Sequence, residues 1–233
     1  MDTFGSEPEV RPADVVVFGA PGASCEDGLI RTSAAGLERA GLAARFWLSF
    51  DQTSSPMRMI CVAGRPKYRS NMPPLRSGQS EAAEMTAIIR ALGVPSEVIR
   101  PNDTFPLQRG YSTSTVDEVA LLVEEGLIAP GMYGPDSPLA IVLHRRHAAR
   151  AVALLRKVGF DKQQLRVVSP STADSPTEVI IRVIYRILVL RGTREVPAGV
   201  LRNREDRVMS ACTRITRLVR WRASTSNSLQ SRT

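Results

Sequence analysis

LAIVLHRRHAARAVALLRKVG, residues 139–159, changes its hydrophobic period part-way along. Its first five residues form an unbroken apolar run, which suits a short strand buried on both faces rather than a half-exposed one. From His147 onward the period changes: Ala151, Leu154 and Val158 recur every three or four residues, so a helix follows, closed by Gly159. A buried strand running straight into an amphipathic helix is one unit of a parallel α/β sheet.

Working outward, the same alternation recurs. ADVVVF (13–18) reads as a buried strand, GAPGASCEDG as a small-residue loop, and the stretch from Leu29 towards Ala40 as an amphipathic helix. AARFWLSFDQTSSP leaves two options open, a continuation of that helix or an extra strand. MRMICVA (57–63) is the next strand, followed by a long loop, GRPKYRSNMPPLRSGQ, of the kind that on α/β domains is functional or mobile. SEAAEMTAIIRAL predicts a helix N-capped by Ser80, with Glu81 in its first turn and Met85, Ile88, Ile89 and Leu92 at helical spacing. A short strand near Glu97–Arg100 and a second long loop lead to STSTVDEVALLVEE, a helix with two overlapping capping boxes, Ser114 with Asp117 or Thr115 with Glu118. LRVVSP reads as the last strand and TEVIIRVIYRILVL as a closing helix, apolar nearly all round and so buried. No hairpin signal such as Asn-Gly separates paired strands, and no internal repeat is present. The expected architecture is α/β: a Rossmann-like, doubly wound, mostly parallel sheet with helices on both faces, preceded by an arm (1–12), filling 13–191, and extended by a basic helical tail (192–233).

Charge narrows the partners. Nearly all of the net charge of +8 belongs to the tail, since residues 191–233 hold ten basic and three acidic side chains whereas the preceding residues hold 21 and 20. A folded core of nearly balanced charge is no general nucleic-acid surface. Cys25, Cys61 and Cys212 stand far apart, with no CxxC pair, and read as free thiols of a reducing compartment. The N-terminus lacks an apolar signal-peptide core, and no apolar run approaches the roughly 20 residues of a membrane span. A cytoplasmic location is expected.

In open α/β sheets, ligands bind outside the carboxyl ends of the strands, where helix N-termini also point. Four segments put polar groups at that edge: the loop after the first strand, the run from Gly64 to Glu81, the STSTVDE helix start, and HRRHAAR, which holds both histidines of the chain. His147 and Arg150 are neighbours on one helix, and an arginine beside a helix N-terminus favours a phosphate or carboxylate. The same spacing also fits a partly buried histidine beside an arginine paired with a nearby acid. His144, at the strand end, reads as structural. A His-x-x-His metal pair lacks a third ligand, and no metal is expected. GAPG lacks a full GxGxxG or Walker pattern and reads either as a tight turn or as a place where backbone approaches a ligand. Glu81, Asp117 and Glu118 all sit in first helical turns, where acids also serve as caps.

Taken in order, the Gly19 loop, Arg31, ICVAGR, SEAAEM with LGVP, STSTVDE and VLHRRHAARAVALLRKVGF resemble the bacterial YdcF/SanA/ElyC-like domain of unknown function over roughly residues 13–170. The resemblance implies a Rossmann-like fold with a pocket at the strand ends and functional residues at Glu81, Ser112, Thr115, His147 and Arg150. It also implies S-adenosylmethionine as a ligand of soluble members and a link to cell-envelope physiology for anchored ones. Two motifs depart from the family. Ala63-Gly64-Arg65 stands where Ser-Gly-Gly is usual, and Asp117-Glu118 where Glu-x-Asn or Glu-Asn is usual; the extra acid implies either a changed ligand or a degenerate site.

The expectation is therefore a domain that binds a small anionic or adenosyl-type ligand, with no reaction assigned. Were it catalytic, His147 would be the general acid or base, oriented by Glu81 or Asp117. Gly19, Arg31, Gly64, Arg65, Ser80, Ser112, Thr115, Glu118 and Arg150 would line the ligand. The alternative is a non-catalytic interaction protein working through its tail. There, Leu201, Val208, Ala211, Ile215 and Leu218 fall on one helical face and arginines on the other, a pattern that suits an anionic membrane surface or acidic partner and equally a solvated helix packed on its own domain. Nucleic acid ranks behind both, because the tail carries one Trp and no stacking array.

Overall fold

The structure, a computed structural model, describes residues 10–20, 23–51, 57–63, 65–66, 79–101, 112–170, 190, 195–208 and 210. Five parallel strands form the central sheet: β1 (Asp14–Phe18), β4 (Arg58–Val62), β6 (Ile99–Pro101), β8 (Leu139–Val142) and β9 (Leu165–Val168). Their order is β6-β4-β1-β8-β9, so the chain builds outward from β1 to one edge and then crosses to the other side.

Side chains alternate across β1 and divide the core in two. Val15 and Val17 pack with α1 (Ala34–Leu48) and α2 (Glu81–Ala91). Val16 and Phe18 pack on the opposite face with α3 (Thr115–Glu124) and α4 (Arg145–Lys157). The fold is thus a doubly wound, Rossmann-like α/β domain. Cys61 of β4 is buried.

Helices α2, α3 and α4 end in one way. In α4, Gly159 takes φ +104, its N–H reaches the Arg156 carbonyl, and the N–H of buried Phe160 reaches that of Leu155. This is a Schellman ending, in which a glycine enters left-handed backbone and an apolar residue folds back on the helix. Gly93-Val94 and Gly126-Leu127 repeat it.

Several local expectations need correction. Residues 29–31 are not helical: β2 (Ser24–Glu26) and β3 (Leu29–Arg31) form an antiparallel hairpin, turned by Asp27 and Gly28 at φ +51 and +77. Asp-Gly is the residue pair that such a two-residue turn demands, and it outweighs the helical spacing. Helix α1 therefore starts only at Ala34, where the Ser33 side chain accepts from Gly36 N–H, and it runs on through Phe46 and Trp47 to Leu48. Trp47 Nε1 donates to the Met57 carbonyl at 2.8 Å, tying the end of α1 to the start of β4. Residues 96–98 form a 3-10 turn, and the β6 strand begins at Ile99. Of the two capping boxes, Ser114 with Asp117 is the one formed. A two-stranded parallel pair, β5 (Arg65–Pro66) with β7 (Ser112–Thr113), also stands apart from the main sheet.

The long loops 67–78 and 102–111, the closing helix read at 177–190 except Leu190, and the tail beyond 210 lie outside the described residues. Residues 198–208 do form a helix, which packs back on the domain, and Leu201 is buried in the same core as α3 and α4. Among the described residues no helix is long and apolar enough to cross a membrane.

Candidate functional site

Strands β1, β4 and β8 end side by side, and the starts of α2, α3 and α4 gather at the same edge. Because β1 continues into elements on one face and β8 into α4 on the other, the switch point of the sheet lies between them, the crevice position at which open α/β sheets hold ligands.

Gly19 forms its floor. Its N–H donates to the Val62 carbonyl at 3.0 Å. A Cβ added here would stand 2.7 Å from Ala63 Cβ and 3.1 Å from both Glu118 Oε1 and Glu81 Oε2. The two carboxyls therefore approach the same point from α2 and α3, within twice that distance of each other.

Glu81 is the first residue of α2, after the cap Ser80, whose side chain accepts from Ala83 N–H. Its Oε1 accepts from Ala20 N–H at 3.0 Å and from the Thr32 hydroxyl at 2.9 Å. Glu84, one turn on, accepts from Thr32 N–H. Burial pushes the Glu81 pKa up, against the opposing pull of the Ala20 and Thr32 hydrogen bonds and the Arg39 charge. Glu118 lacks that compensation. It is 6 % exposed, and among the described residues no hydrogen bond reaches its carboxyl. Burial first, and then the neighbouring Glu81, push its pKa well above the usual carboxylate range, only partly offset by Arg39 and Arg150.

Arg39, in the middle of α1, is 1 % exposed. Its guanidinium donates to the carbonyls of Phe18 (3.0 Å) and Gly19 and, through Nε, to His144 Nδ1 at 2.8 Å. Arginine has no acceptor, so His144 Nδ1 must offer its lone pair and the ring proton sits on Nε2. Nε2 lies 3.0 Å from Glu38 Oε2. The first histidine of the chain thus clamps α1 to the end of β8.

The second belongs to the crevice. Arg150 NH2 donates to Thr115 Oγ1 at 3.1 Å and lies 3.1 Å from His147 Nδ1. By the same donor argument that nitrogen accepts, leaving the His147 proton on Nε2. Asp117 closes the capping box with Ser114, and its Oδ1 receives Arg202 Nε from helix 198–208 at 3.1 Å. From that helix, too, buried Glu205 accepts from the Ser114 hydroxyl.

Of the residues read as ligand or catalytic groups, Gly19, Glu81, Glu118, Thr115, His147 and Arg150 come to this edge. Arg31 does not enter it: its side chain is 65 % exposed, 3.8 Å from Glu84. Ser80 serves as a cap. Arg65 and Ser112 pair through their backbones as neighbouring strand residues, and Gly64 lies outside the described residues. Glu81, expected to orient His147, instead binds Ala20 and Thr32. Asp117 is engaged by its cap and by Arg202. Arg39, Thr32 and the pair Arg202 and Glu205 were not read from the sequence as parts of this edge.

No family model, curated protein or solved structure matches the chain. Among the described residues no group of three or more His, Cys, Asp or Glu side chains is placed to hold a metal ion.

Proposed function

We propose that the chain binds a small anionic or adenosyl-type ligand, of which S-adenosylmethionine is the representative, in the crevice between the ends of β1 and β8. The observation that supports this best is Arg150, bonded to Thr115 and His147 where the starts of α3 and α4 meet. An arginine already fixed by two side chains loses less rotamer freedom when it takes an anion, and two helix N-termini add favourable dipoles. Should the ligand react, His147 offers an Nε2–H as the acid, with Arg150 holding the ring in that tautomer. A connection to cell-envelope metabolism is part of the same proposal, carried by the motif resemblance alone.

The test is thermal unfolding of the wild type, Arg150→Ala and His147→Ala with S-adenosylmethionine, adenosine, nucleotide sugars and inorganic phosphate. Ligand at 100 times its Kd adds about 2.7 kcal/mol, and each kcal/mol moves Tm by about 2–4 °C in a chain of this size. A rise with S-adenosylmethionine in the wild type, absent from Arg150→Ala, is expected. No rise with any of these ligands would sink the reading.

A further inference from the structure

We infer that Glu118 reads a positive charge on the bound molecule: its carboxyl faces Gly19 opposite Glu81, unbonded among the described residues, and a sulfonium or ammonium group seated over Gly19 supplies its missing partner. The inference rests on the ligand reading above and narrows it to a molecule carrying an anionic and a cationic group together.

A buried acid with no donor is unfavourable in either protonation state, and native chains hold few such groups without a use for them. The charged surroundings of Glu118 come from every helix at this edge: Glu81 from α2, Asp117 from its own helix, Arg39 from α1 and Arg150 from α4. Both arginines are already engaged, Arg39 with the Phe18 and Gly19 carbonyls and His144, Arg150 with Thr115 and His147. They act on Glu118 at a distance and give it no hydrogen bond. The two carboxyls repel, which favours a shared proton over two negative charges. A ligand cation does the work of that proton and displaces it, one proton leaving to solvent for each cation bound.

Gly19 makes room for this. Any side chain here would project into the spot that both carboxyls face, whereas a glycine leaves it to the ligand. The anionic end of the same molecule then falls to Arg150.

Isothermal titration of the full chain and of Glu118→Gln, with S-adenosylmethionine and with S-adenosylhomocysteine, tests the assignment. The two probes differ by one methyl group and its positive charge. Wild type is expected to prefer the sulfonium by about tenfold or more, as for a charge-assisted contact out of water. The preference should grow with pH, and titrations in two buffers of different ionisation enthalpy should show proton release with the sulfonium only. Glu118→Gln, its fold checked by thermal unfolding, should bind both probes alike and release no proton. Equal wild-type affinities, or a preference that survives the substitution, overturn the role of Glu118 while leaving the ligand site intact. Binding of neither probe overturns the ligand reading as well.

Discussion

At Glu118, burial and the charge of Glu81 act in the same direction, and the result is a carboxyl that costs stability at neutral pH. Its pKa is raised on folding, so between the unfolded value near 4.5 and the raised native value the folded chain holds the extra proton. Stability from this group is complete below the unfolded pKa and is lost as pH rises towards the native one. Glu118→Gln removes that loss. The variant should match wild type near pH 4.5 and exceed it increasingly towards pH 8, each kcal/mol relieved appearing as about 2–4 °C in Tm. A gap that narrows with rising pH would contradict the burial argument. At this scale the sequence was partly legible. His147 and Arg150 stood out through spacing and Thr115 through the family resemblance, but Arg39 in AAGLERAGLAARFW was not singled out. Its neighbours on the helix, Gly36, Ala43 and Phe46, are buried, and that stripe was the missed signal.

Among the elements, the three Schellman endings separate conformational cost from packing. An added Cβ meets nothing within 4 Å at Gly93 or Gly126, whereas at Gly159 it meets Pro130 Cγ at 3.2 Å. Gly93→Ala should thus report left-handed strain alone, about 1–2 kcal/mol by chemical denaturation. At Gly126, whose φ is +65, Asn should cost less than Ala because it visits that region more readily. Equal losses for the two would point to something other than backbone strain. These endings were readable as glycine followed by an apolar residue. The β2–β3 hairpin was missed because the apolar residues of LIR fit both periods, and only its turn, Asp27-Gly28, distinguishes them.

For the whole molecule, the two ends of the sheet have different jobs. The amino end is locked: buried Asp14 accepts from Arg58 through both carboxyl oxygens and from the Tyr133 hydroxyl at 2.7 Å. These contacts raise the Arg58 pKa, with its hydrogen bond to Asp14 the leading cause. Asp14→Ala should cost about 1–3 kcal/mol, because it leaves the buried Tyr133 hydroxyl without its acceptor while the part-exposed Arg58 can turn to solvent, and should leave ligand affinity at the opposite edge unchanged. Leu201→Ala should cost about 2–5 kcal/mol, since that residue is 1 % exposed although it belongs to the basic tail. A near-zero loss in urea melts would return helix 198–208 to the role of an appendage. The alternation of strands and helices was legible at this scale because unbroken apolar runs and helical stripes are local. That helix 198–208 packs on its own domain was among the readings of its amphipathic pattern, but its docking place was not legible, since it depends on Leu201 meeting α3 and α4 and on Arg202 meeting Asp117, contacts set by the assembled core.

The hydrogen bond from Ala20 N–H to Glu81 gives the chain a spectroscopic indicator of its own. An amide proton aimed at a carboxylate resonates downfield and exchanges slowly with solvent, so Ala20 should be an outlying peak in a ¹⁵N–¹H spectrum. That peak answers to the ionisation of the Glu81 and Glu118 pair in the crevice, and a pH series would follow the pair there without any substitution.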